Sequence, residues 1–257
     1  MKKKDSVSMV KTLYGHESIG YHNADLDASV QRLVRGQTYK NLSTIWLTPI
    51  RKPRECPCGC KVIVYPGFHS KVMSSWMALQ RPMNQPFIGP LFFEGDEVGI
   101  AFQKGFEMVL DHPELSKWKY ILTVEEDNLP PIDGILKLYE AIQQGYDAVG
   151  GLYWTKGPAG QPMCYGDPKV MPRNFVPQVP IPDTVQHCNG LGMGFNLYKM
   201  EMFKKMPRPW FKTVQEPGKT FTQDLWFYNN AGAAGFKFAC HTGCKVGHLD
   251  VNTGQVW

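Results

Sequence analysis

The sequence has no long apolar run, and this absence excludes one large class of proteins. None of its segments reaches the roughly 18 uncharged apolar residues that a membrane-spanning helix needs. The basic start at Met1–Lys4 is followed by Ser6–Thr12, which supplies no apolar core for a secretion signal. We therefore expect a cytoplasmic protein (in the host cytoplasm if the protein is viral) that does not act at a membrane.

Charge is sparse and nearly balanced. Charged residues make up 20% of the 257 residues, and the formal net charge is +5. This mild excess allows an anionic partner, such as a nucleotide or a nucleic acid, but an ordinary solvated surface gives the same value. A hydrophobic content of 43% argues against intrinsic disorder. The length predicts one sizeable domain with room for an extension, because domains commonly have about 100–200 residues.

Cysteines are few and odd in number. The chain has seven, and without a secretion signal we expect them to be reduced. Cys56, Cys58 and Cys60 lie close together, and Cys240 and Cys244 form a second group. Structural zinc sites use closely spaced cysteines from two segments. Zinc binding therefore stays open as an alternative that requires the two segments to meet.

Short apolar runs alternate with amphipathic patterns from Thr44 onward. The predicted strands are Thr44–Thr48, Val62–Tyr65, Phe87–Phe93, Tyr120–Val124, Asp147–Tyr153 and Phe236–Cys240. The predicted helices begin near Ser70, Asp96, Pro130, Tyr198 and Thr222. This alternation predicts an α/β fold with a mostly parallel central sheet flanked by helices.

The most specific local feature is the acidic triplet Glu125-Glu126-Asp127, which follows a predicted buried strand. Ligands of open α/β sheets bind outside the carboxyl ends of the strands, so the triplet lies where a ligand would bind. Adjacent carboxylates repel one another, and a divalent cation relieves this repulsion. The alternative is that the acids cap the following helix, whose N-terminus favours negative charge.

Three further motifs follow along the chain. The segment Gly190–Phe195 contains glycines that permit close approach of a backbone to a ligand, although a plain turn is the alternative. It has neither the context of a dinucleotide fingerprint nor a Walker sequence. Asp224 stands at a helix start, where it could be a base or a cap, and His248 lies in a late Gly-His pair.

The order of these motifs resembles the nucleotide-sugar glycosyltransferases of the A-type (GT-A) fold, especially an inverting bacterial and phage-like family. The resemblance covers roughly Lys61–Leu249 and implies a Rossmann-like sheet. It implies an N-terminal extension with a Cys-rich loop at 1–60, a nucleotide-sugar-binding half at 61–166 and an acceptor-side half at 167–257 of the same domain.

The resemblance also implies a function and its residues. It implies a metal-dependent glycosyltransferase of hexosyltransferase type, with Mn²⁺ or Mg²⁺ on Asp127 and His248 and Asp224 as the base. The donor would be a nucleotide-diphospho-sugar, with a UDP-sugar favoured, and transfer would invert the anomeric carbon. With Val62–Tyr65 as the first core strand, the resemblance implies Pro66, Gly67 and Phe68 at the nucleotide base. The other residues implied in ligand binding are Asp96, Glu125, Glu126 and Trp154, with Gly192 and Gly194 on the acceptor side. The chain departs from the family at Glu125, which replaces an Asp, and at Gln223, which replaces the acid before the base.

Several alternatives stay open at this point. Phe68 and Trp154 could be packed aromatics rather than ligand contacts. The acceptor could be a glycan, a small molecule or DNA with a hydroxymethylated base. The basic clusters at Lys2–Lys4, Arg51–Arg54 and Lys204–Arg208, the last beside Trp210 and Phe211, favour DNA, whereas a solvated surface is the alternative. A nucleotidyltransferase of similar fold and a non-catalytic sugar-nucleotide-binding module are the other functions.

Overall fold

The computed structural model describes residues 41–257 except 53, 56, 57, 59, 61, 62, 65, 66, 96, 217 and 218. Pro66 and Asp96 of the expected donor site, Cys56 and the basic residues Lys2–Lys4 therefore lie outside the described residues. Among the helices that the structure describes, none combines the length and the apolar character needed to span a bilayer.

Seven strands form the central sheet. Their spatial order is β4 (Phe87–Gly95), β1 (Thr44–Arg51), β5 (Tyr120–Val124), β11 (Phe195–Lys199), β7 (Ala148–Leu152), β14 (Phe238–Lys245) and β9 (Val185–Cys188). Strand β1 runs parallel to β4 and β5, and β7 runs parallel to β14. Only β11 and β9 run against their neighbours. The sheet is mostly parallel, which confirms the predicted fold class.

Helices cover both faces of this sheet. They are α1 (Ser70–Ala78), α2 (Val98–Asp111), α3 (Gly134–Ile142), α4 (Met200–Lys205) and α5 (Gln223–Ala233), with a 3₁₀ turn at Leu115–Lys117. Side chains of α2, α4 and α5 form a first apolar cluster with Ile45 and Leu47 of β1. Side chains of α1 and α3 form a second apolar cluster with Trp46. Successive residues of β1 thus point to opposite clusters, as expected for a strand that is buried on both faces.

Four two-stranded ribbons complete the described structure. They are β2–β3 (Arg54–Glu55 with Ile63–Val64), β6–β15 (Asn128–Leu129 with Gly247–His248), β8–β10 (Cys164–Tyr165 with Gly190–Leu191) and β12–β13 (Val214–Glu216 with Lys219–Phe221). The β6–β15 ribbon is important for the site, because it brings the end of the chain beside the acidic triplet.

The first core strand differs from the prediction. Val62–Tyr65 is expected to be that strand, but its described part, Ile63–Val64, pairs only with Arg54–Glu55 in a ribbon outside the central sheet. The first core strand is instead Thr44–Arg51, which is buried over most of its length between β4 and β5. The longer apolar strand Thr44–Arg51 pairs with β4 on one side and with β5 on the other. One strand of the central sheet therefore comes from the segment 1–60.

The helix expected near Tyr198 also begins later than predicted. Tyr198 belongs to β11, where it pairs with Ile121 of β5 and Ala148 of β7. Helix α4 starts only at Met200, after the strand has left the sheet. Pairing with strands on both sides keeps Phe195–Lys199 extended.

Candidate functional site

A cavity of about 520 Å³ opens at the carboxyl ends of β4, β1 and β5. Its wall includes Pro49–Arg51, the acidic triplet Glu125–Asp127, Lys156 and the C-terminal segment Asp250–Asn252. The volume falls within the usual range of about 300–1,000 Å³ for small-molecule sites. Its place at the carboxyl ends of parallel strands is also where open α/β sheets bind their ligands.

Asp127 lines this cavity and has two basic side chains, Lys156 and His248, as neighbours. Its Oδ2 atom accepts a hydrogen bond from Nζ of Lys156 at 2.5 Å and lies 3.6 Å from Nε2 of His248. Burial alone would raise the pKa of Asp127, but the interactions with His248 and Lys156 outweigh it and lower the pKa. Asp127 is therefore a carboxylate at neutral pH.

The orientation of His248 is set by the backbone around it. Its Nδ1 atom lies 2.8 Å from the carbonyl oxygen of Trp154, and because a carbonyl can only accept, Nδ1 carries the proton. The backbone N–H of Leu249 donates to the carbonyl of Asp127 at 2.8 Å and fixes the two segments together. In the neutral ring, Nε2 then presents a lone pair toward Asp127.

This arrangement fits a divalent cation. A lone pair of His248 and a carboxylate oxygen of Asp127 that lie 3.6 Å apart need a proton or a cation between them. An imidazole that donates its other N–H to a carbonyl is also the usual form of a metal-binding histidine. The described residues contain no group of three or more His, Cys, Asp or Glu side chains that could hold a metal ion. A cation here would therefore take its other ligands from phosphate oxygens and water, as Mg²⁺ commonly does.

Glu125 is a partly buried acid beside Asp127, and Asp224 is a buried acid that interacts with Glu125. Burial, followed by the charges of Asp127 and Asp224, raises the pKa of Glu125 to about 8. Asp224 lies in the first turn of α5, where it accepts hydrogen bonds from the hydroxyl of Thr222 and from the backbone N–H of Leu225. Burial raises the pKa of Asp224 as well. The structure thus places the predicted base within electrostatic range of the acidic triplet.

Glu126 faces the rim of the cavity. Its Oε1 atom accepts a hydrogen bond from Nε of Arg51 at 2.5 Å. The side chain of Arg51 is 63% exposed, so solvent reaches this ion pair. The pair links the end of β1 to the acidic triplet.

The backbone carbonyl of Trp154, rather than its ring, contacts the site. Its ring is partly buried and packs against the first apolar cluster, while its carbonyl oxygen accepts from His248. This packing favours the alternative of a packed aromatic over stacking on a sugar.

Gly67 and Phe68 lie away from the cavity wall that the described residues form. The Phe68 ring packs between Trp76 and Phe92, with centroid distances of 5.2 and 5.3 Å. Both residues follow the segment expected to be the first core strand. Because β1 is that strand, the chain that enters the cavity from it is Pro49–Arg51 instead.

Gly192 and Gly194 are buried, and their nearest neighbours belong to the protein itself. A side chain at Gly192 would collide with the hydroxyl of Tyr153, and one at Gly194 would come within 2.7 Å of the Asn128 amide. The Gly194 carbonyl also accepts a hydrogen bond from the backbone N–H of Glu125 at 3.0 Å. Gly194 therefore helps to position the acidic triplet, and Gly192 leaves room for the Tyr153 hydroxyl. The observed contacts give no separate reason to place a ligand on either glycine.

The six cysteines that the structure describes do not form the two-segment zinc site left open by the sequence. Cys58 and Cys60 are exposed, whereas Cys240 and Cys244 are buried. Cys240 belongs to the first apolar cluster and Cys244 to the second, on the other face of the sheet. The pair therefore does not present its sulfur atoms to one metal ion.

Two parts of the site escape prediction from the sequence. Lys156 is a lone lysine in a loop rich in Gly and Pro, and no motif distinguishes it. The C-terminal segment Asp250–Asn252 reaches the cavity because the backbones of His248 and Trp257 exchange hydrogen bonds of 3.0 Å around it. Gly254, with φ +72°, makes the turn in this hairpin. In the sequence, the only sign that Asp250–Asn252 folds back is that the segment shortly precedes Gly254.

Comparison with known proteins gives matches in structure but none in sequence. No protein-family profile and no curated protein matches the chain. The structure of A197 from STIV matches with a TM-score of 0.56 and 15% identity, covering 83% of this chain and 92% of A197. A structure of GalNAc-T7 with UDP, GalNAc and Mn²⁺ matches with a TM-score of 0.52 and 10% identity, covering 82% of this chain and 43% of that one. At these identities the likeness shows the fold alone, and the chain has a GT-A-like α/β fold.

Proposed function

We propose that this protein is a glycosyltransferase that moves a sugar from a nucleotide-diphospho-sugar to an acceptor hydroxyl with the help of a divalent cation. The observation that carries the proposal is the approach of His248 to 3.6 Å from Asp127, which lines the cavity at the carboxyl ends of the sheet. The GT-A-like fold supports it, because the GalNAc-T7 structure of similar fold was determined with UDP, GalNAc and Mn²⁺. A UDP-sugar and Mn²⁺ are therefore the first ligands to test.

Asp127 and His248 would hold Mn²⁺ or Mg²⁺. Bound there, the cation would act as a Lewis acid that offsets the charge of the departing diphosphate. Glu125 fixes the start of the acidic triplet, because its backbone N–H donates to the carbonyl of Gly194. With its pKa raised to about 8, the Glu125 carboxyl is mostly protonated at neutral pH, and a cation bound nearby would favour its ionised form. A concentration of carboxylates in one cavity favours a cationic ligand.

Asp224 is the proposed base. Its burial raises its pKa, which makes the carboxylate a better proton acceptor than an exposed Asp. Asp224 would take the proton from the acceptor hydroxyl while that oxygen bonds to the anomeric carbon. The bond from the same carbon to the diphosphate oxygen breaks, so a single displacement inverts the configuration. This course is the one implied by the resemblance to inverting enzymes.

Several of the residues that favour a DNA acceptor in the sequence are buried or paired with acids. Trp210 and Phe211 are only 2% and 3% exposed, so they are not available to stack on nucleic-acid bases. Lys204 pairs with Glu201, and Arg208 pairs with Asp111. These contacts weaken the sequence argument for DNA, and a glycan or small-molecule acceptor is the better first choice.

The proposal can be tested by ligand binding followed by product analysis. A panel of UDP-, GDP- and dTDP-sugars, each with and without Mn²⁺, should contain a donor that raises the melting temperature of the protein, because ligands stabilise the state that binds them. That donor, incubated with Mn²⁺ and saccharide acceptors, should release a nucleoside diphosphate.

The products separate the three candidate functions. A nucleotidyltransferase would release no nucleoside diphosphate from these donors, but would release pyrophosphate when given a nucleoside triphosphate and a sugar phosphate. A non-catalytic binding module would raise the melting temperature without releasing any product. If no sugar nucleotide shifts the melting temperature, the proposed function is wrong.

A further inference from the structure

Lys156 forms an ion pair with the Asp127 oxygen that would bind the proposed cation. Its ammonium lies 2.5 Å from Oδ2 of Asp127, the same atom that faces Nε2 of His248 at 3.6 Å. The side chains of Lys156 and Asp127 are only 33% and 19% exposed. This ion pair is therefore partly shielded from water and stronger than a pair on an open surface.

An ammonium and a divalent cation cannot share this oxygen without strong repulsion. A cation bound by Asp127 and His248 would lie next to Oδ2, within a few ångströms of the present position of Nζ. Like charges at such a distance repel strongly in a partly buried site. Cation binding therefore requires Lys156 to leave Asp127.

The lysine side chain can make this movement while its backbone stays fixed. The loop around Lys156 is closed by hydrogen bonds between Thr155 and Gln161, of 2.9 Å from the Thr155 backbone N–H and 2.8 Å to the Thr155 hydroxyl. A lysine carries its charge on a flexible four-carbon chain, so the ammonium can reach a different partner from the same backbone position. Lys156 lines the cavity, and an ammonium that leaves Asp127 has the cavity interior available to it.

We propose that Lys156 is an exchangeable counter-ion, which occupies Asp127 until a divalent cation binds and then turns to the phosphate groups of the ligand. The diphosphate part of this inference rests on the proposed function, whereas the competition for Asp127 does not depend on turnover. Arg51 is a second cation in the cavity wall, paired with Glu126 rather than with Asp127. The two basic side chains would flank the phosphates, and only Lys156 would compete with the cation.

The inference predicts effects of opposite sign when the charge of Lys156 is removed. In Lys156→Met, Mn²⁺ no longer has to displace an ammonium, so its affinity for the protein should rise about tenfold. The same variant loses a cation that binds phosphate, so the affinity for pyrophosphate in the presence of Mn²⁺ should fall about tenfold. A lysine that only supports the local structure predicts that both affinities fall.

Isothermal titration calorimetry with Mn²⁺ alone, and then with pyrophosphate added to the Mn²⁺-loaded protein, measures both affinities. Lys199→Met is the matched control, because Lys199 pairs with Asp147 at 3.3 Å with similar exposure but lies outside the cavity wall. It should bind both ligands like the wild type. Arg51→Met should weaken pyrophosphate binding and leave Mn²⁺ binding unchanged. Lys156→Arg keeps the charge and should retain pyrophosphate binding, which also covers the case that the Met variant does not fold.

The inference is overturned if Lys156→Met binds Mn²⁺ no more tightly than the wild type, or if it binds both ligands more weakly. Its failure can be told apart from failure of the proposed function. A wild-type protein that turns over sugar nucleotides while Lys156→Met leaves Mn²⁺ affinity unchanged would reject the inference alone. A wild type without turnover, combined with the opposite shifts of the two affinities, would reject only the proposed function.

Discussion

A single oxygen, Oδ2 of Asp127, concentrates the chemistry of the candidate site. It lies against the ammonium of Lys156 and the imidazole of His248, and the charge of Asp127 contributes to the raised pKa of the neighbouring Glu125. The acidic triplet is visible in the sequence because three acids follow an apolar strand. The partners of Asp127 are less visible. One is a lone lysine, and the other, His248, lies 121 positions away and is brought close by the β6–β15 ribbon.

The substitution Asp224→Asn distinguishes between two roles of Asp224, that of a catalytic base and that of a residue that stabilises the helix start. If Asp224 is the base, the variant should lose about 10²–10⁴-fold in turnover, while donor binding changes little. If the residue only stabilises the start of α5, turnover should stay near that of the wild type, with at most about 1 kcal/mol lost in the free energy of unfolding. Steady-state kinetics and denaturant unfolding of the same preparation distinguish the two. A variant with unchanged turnover would contradict the role of Asp224 as the base.

Glu125 should make the stability of the metal-free protein depend on pH. Burial, Asp127 and Asp224 raise its folded-state pKa to about 8 from the ordinary value of 4.5. Between these values the folded protein binds more protons than the unfolded chain, so this group lowers the free energy of unfolding as pH rises. The contribution of Glu125 is thus most favourable below pH 4.5 and is lost by about pH 8.

Glu125→Gln removes this titration while it keeps the shape of the side chain. In EDTA, the melting temperature of the variant relative to the wild type should rise as pH increases from about 5 to about 8. Thermal unfolding at a series of pH values measures the difference. A difference between the two proteins that does not change with pH would show that Glu125 does not titrate in this range.

The strand ends and ribbons bring these residues together, and here the sequence is only partly informative. Strands β4, β5, β7 and β14 are recognisable as apolar runs, and their alternation with helices predicts the mostly parallel sheet. Strand β11 runs antiparallel between two parallel strands, and no local pattern shows direction. Val62–Tyr65 is a short apolar run that fits either a core strand or a ribbon, and the choice depends on pairing with distant residues.

Gly194 shows how an element supports the site. A Cβ atom at this position would lie 2.7 Å from the Asn128 amide and from the Tyr153 ring, in a fully buried region. We expect Gly194→Ala to lower the free energy of unfolding by about 1–3 kcal/mol, because the core is already filled. Gly67→Ala is the matched control, since a Cβ at Gly67 would meet nothing within 4 Å, and it should change stability by less than about 0.5 kcal/mol. Denaturant unfolding of both variants checks this, and equal stabilities would contradict the packing account.

The molecule as a whole joins a common fold to a site with its own features. The sheet, its flanking helices and the ligand crevice follow from patterns that many α/β sequences share, which explains why the fold class is predictable while no protein-family profile matches. The positions of the acidic triplet and Asp224 at element ends are predictable as well, because a recognisable strand precedes the triplet and a predicted helix begins near Asp224, whereas the approach of His248 to Asp127 depends on the β6–β15 ribbon. The residues that follow the first core strand and reach the cavity are not predictable, because they depend on which apolar run enters the central sheet.

The most direct test of the central claim is the rate of nucleoside diphosphate release in Mn²⁺ by the wild type and by Asp127→Asn. With the donor identified by thermal shift, the wild type should release nucleoside diphosphate in Mn²⁺ and stop in EDTA. Asp127→Asn should fold normally and show no release above background, because it loses the carboxylate that faces His248. Asp147→Asn, which alters an ion-paired carboxylate outside the cavity wall, should keep its activity. Release by Asp127→Asn at the wild-type rate, or release that continues unchanged in EDTA, would contradict the account.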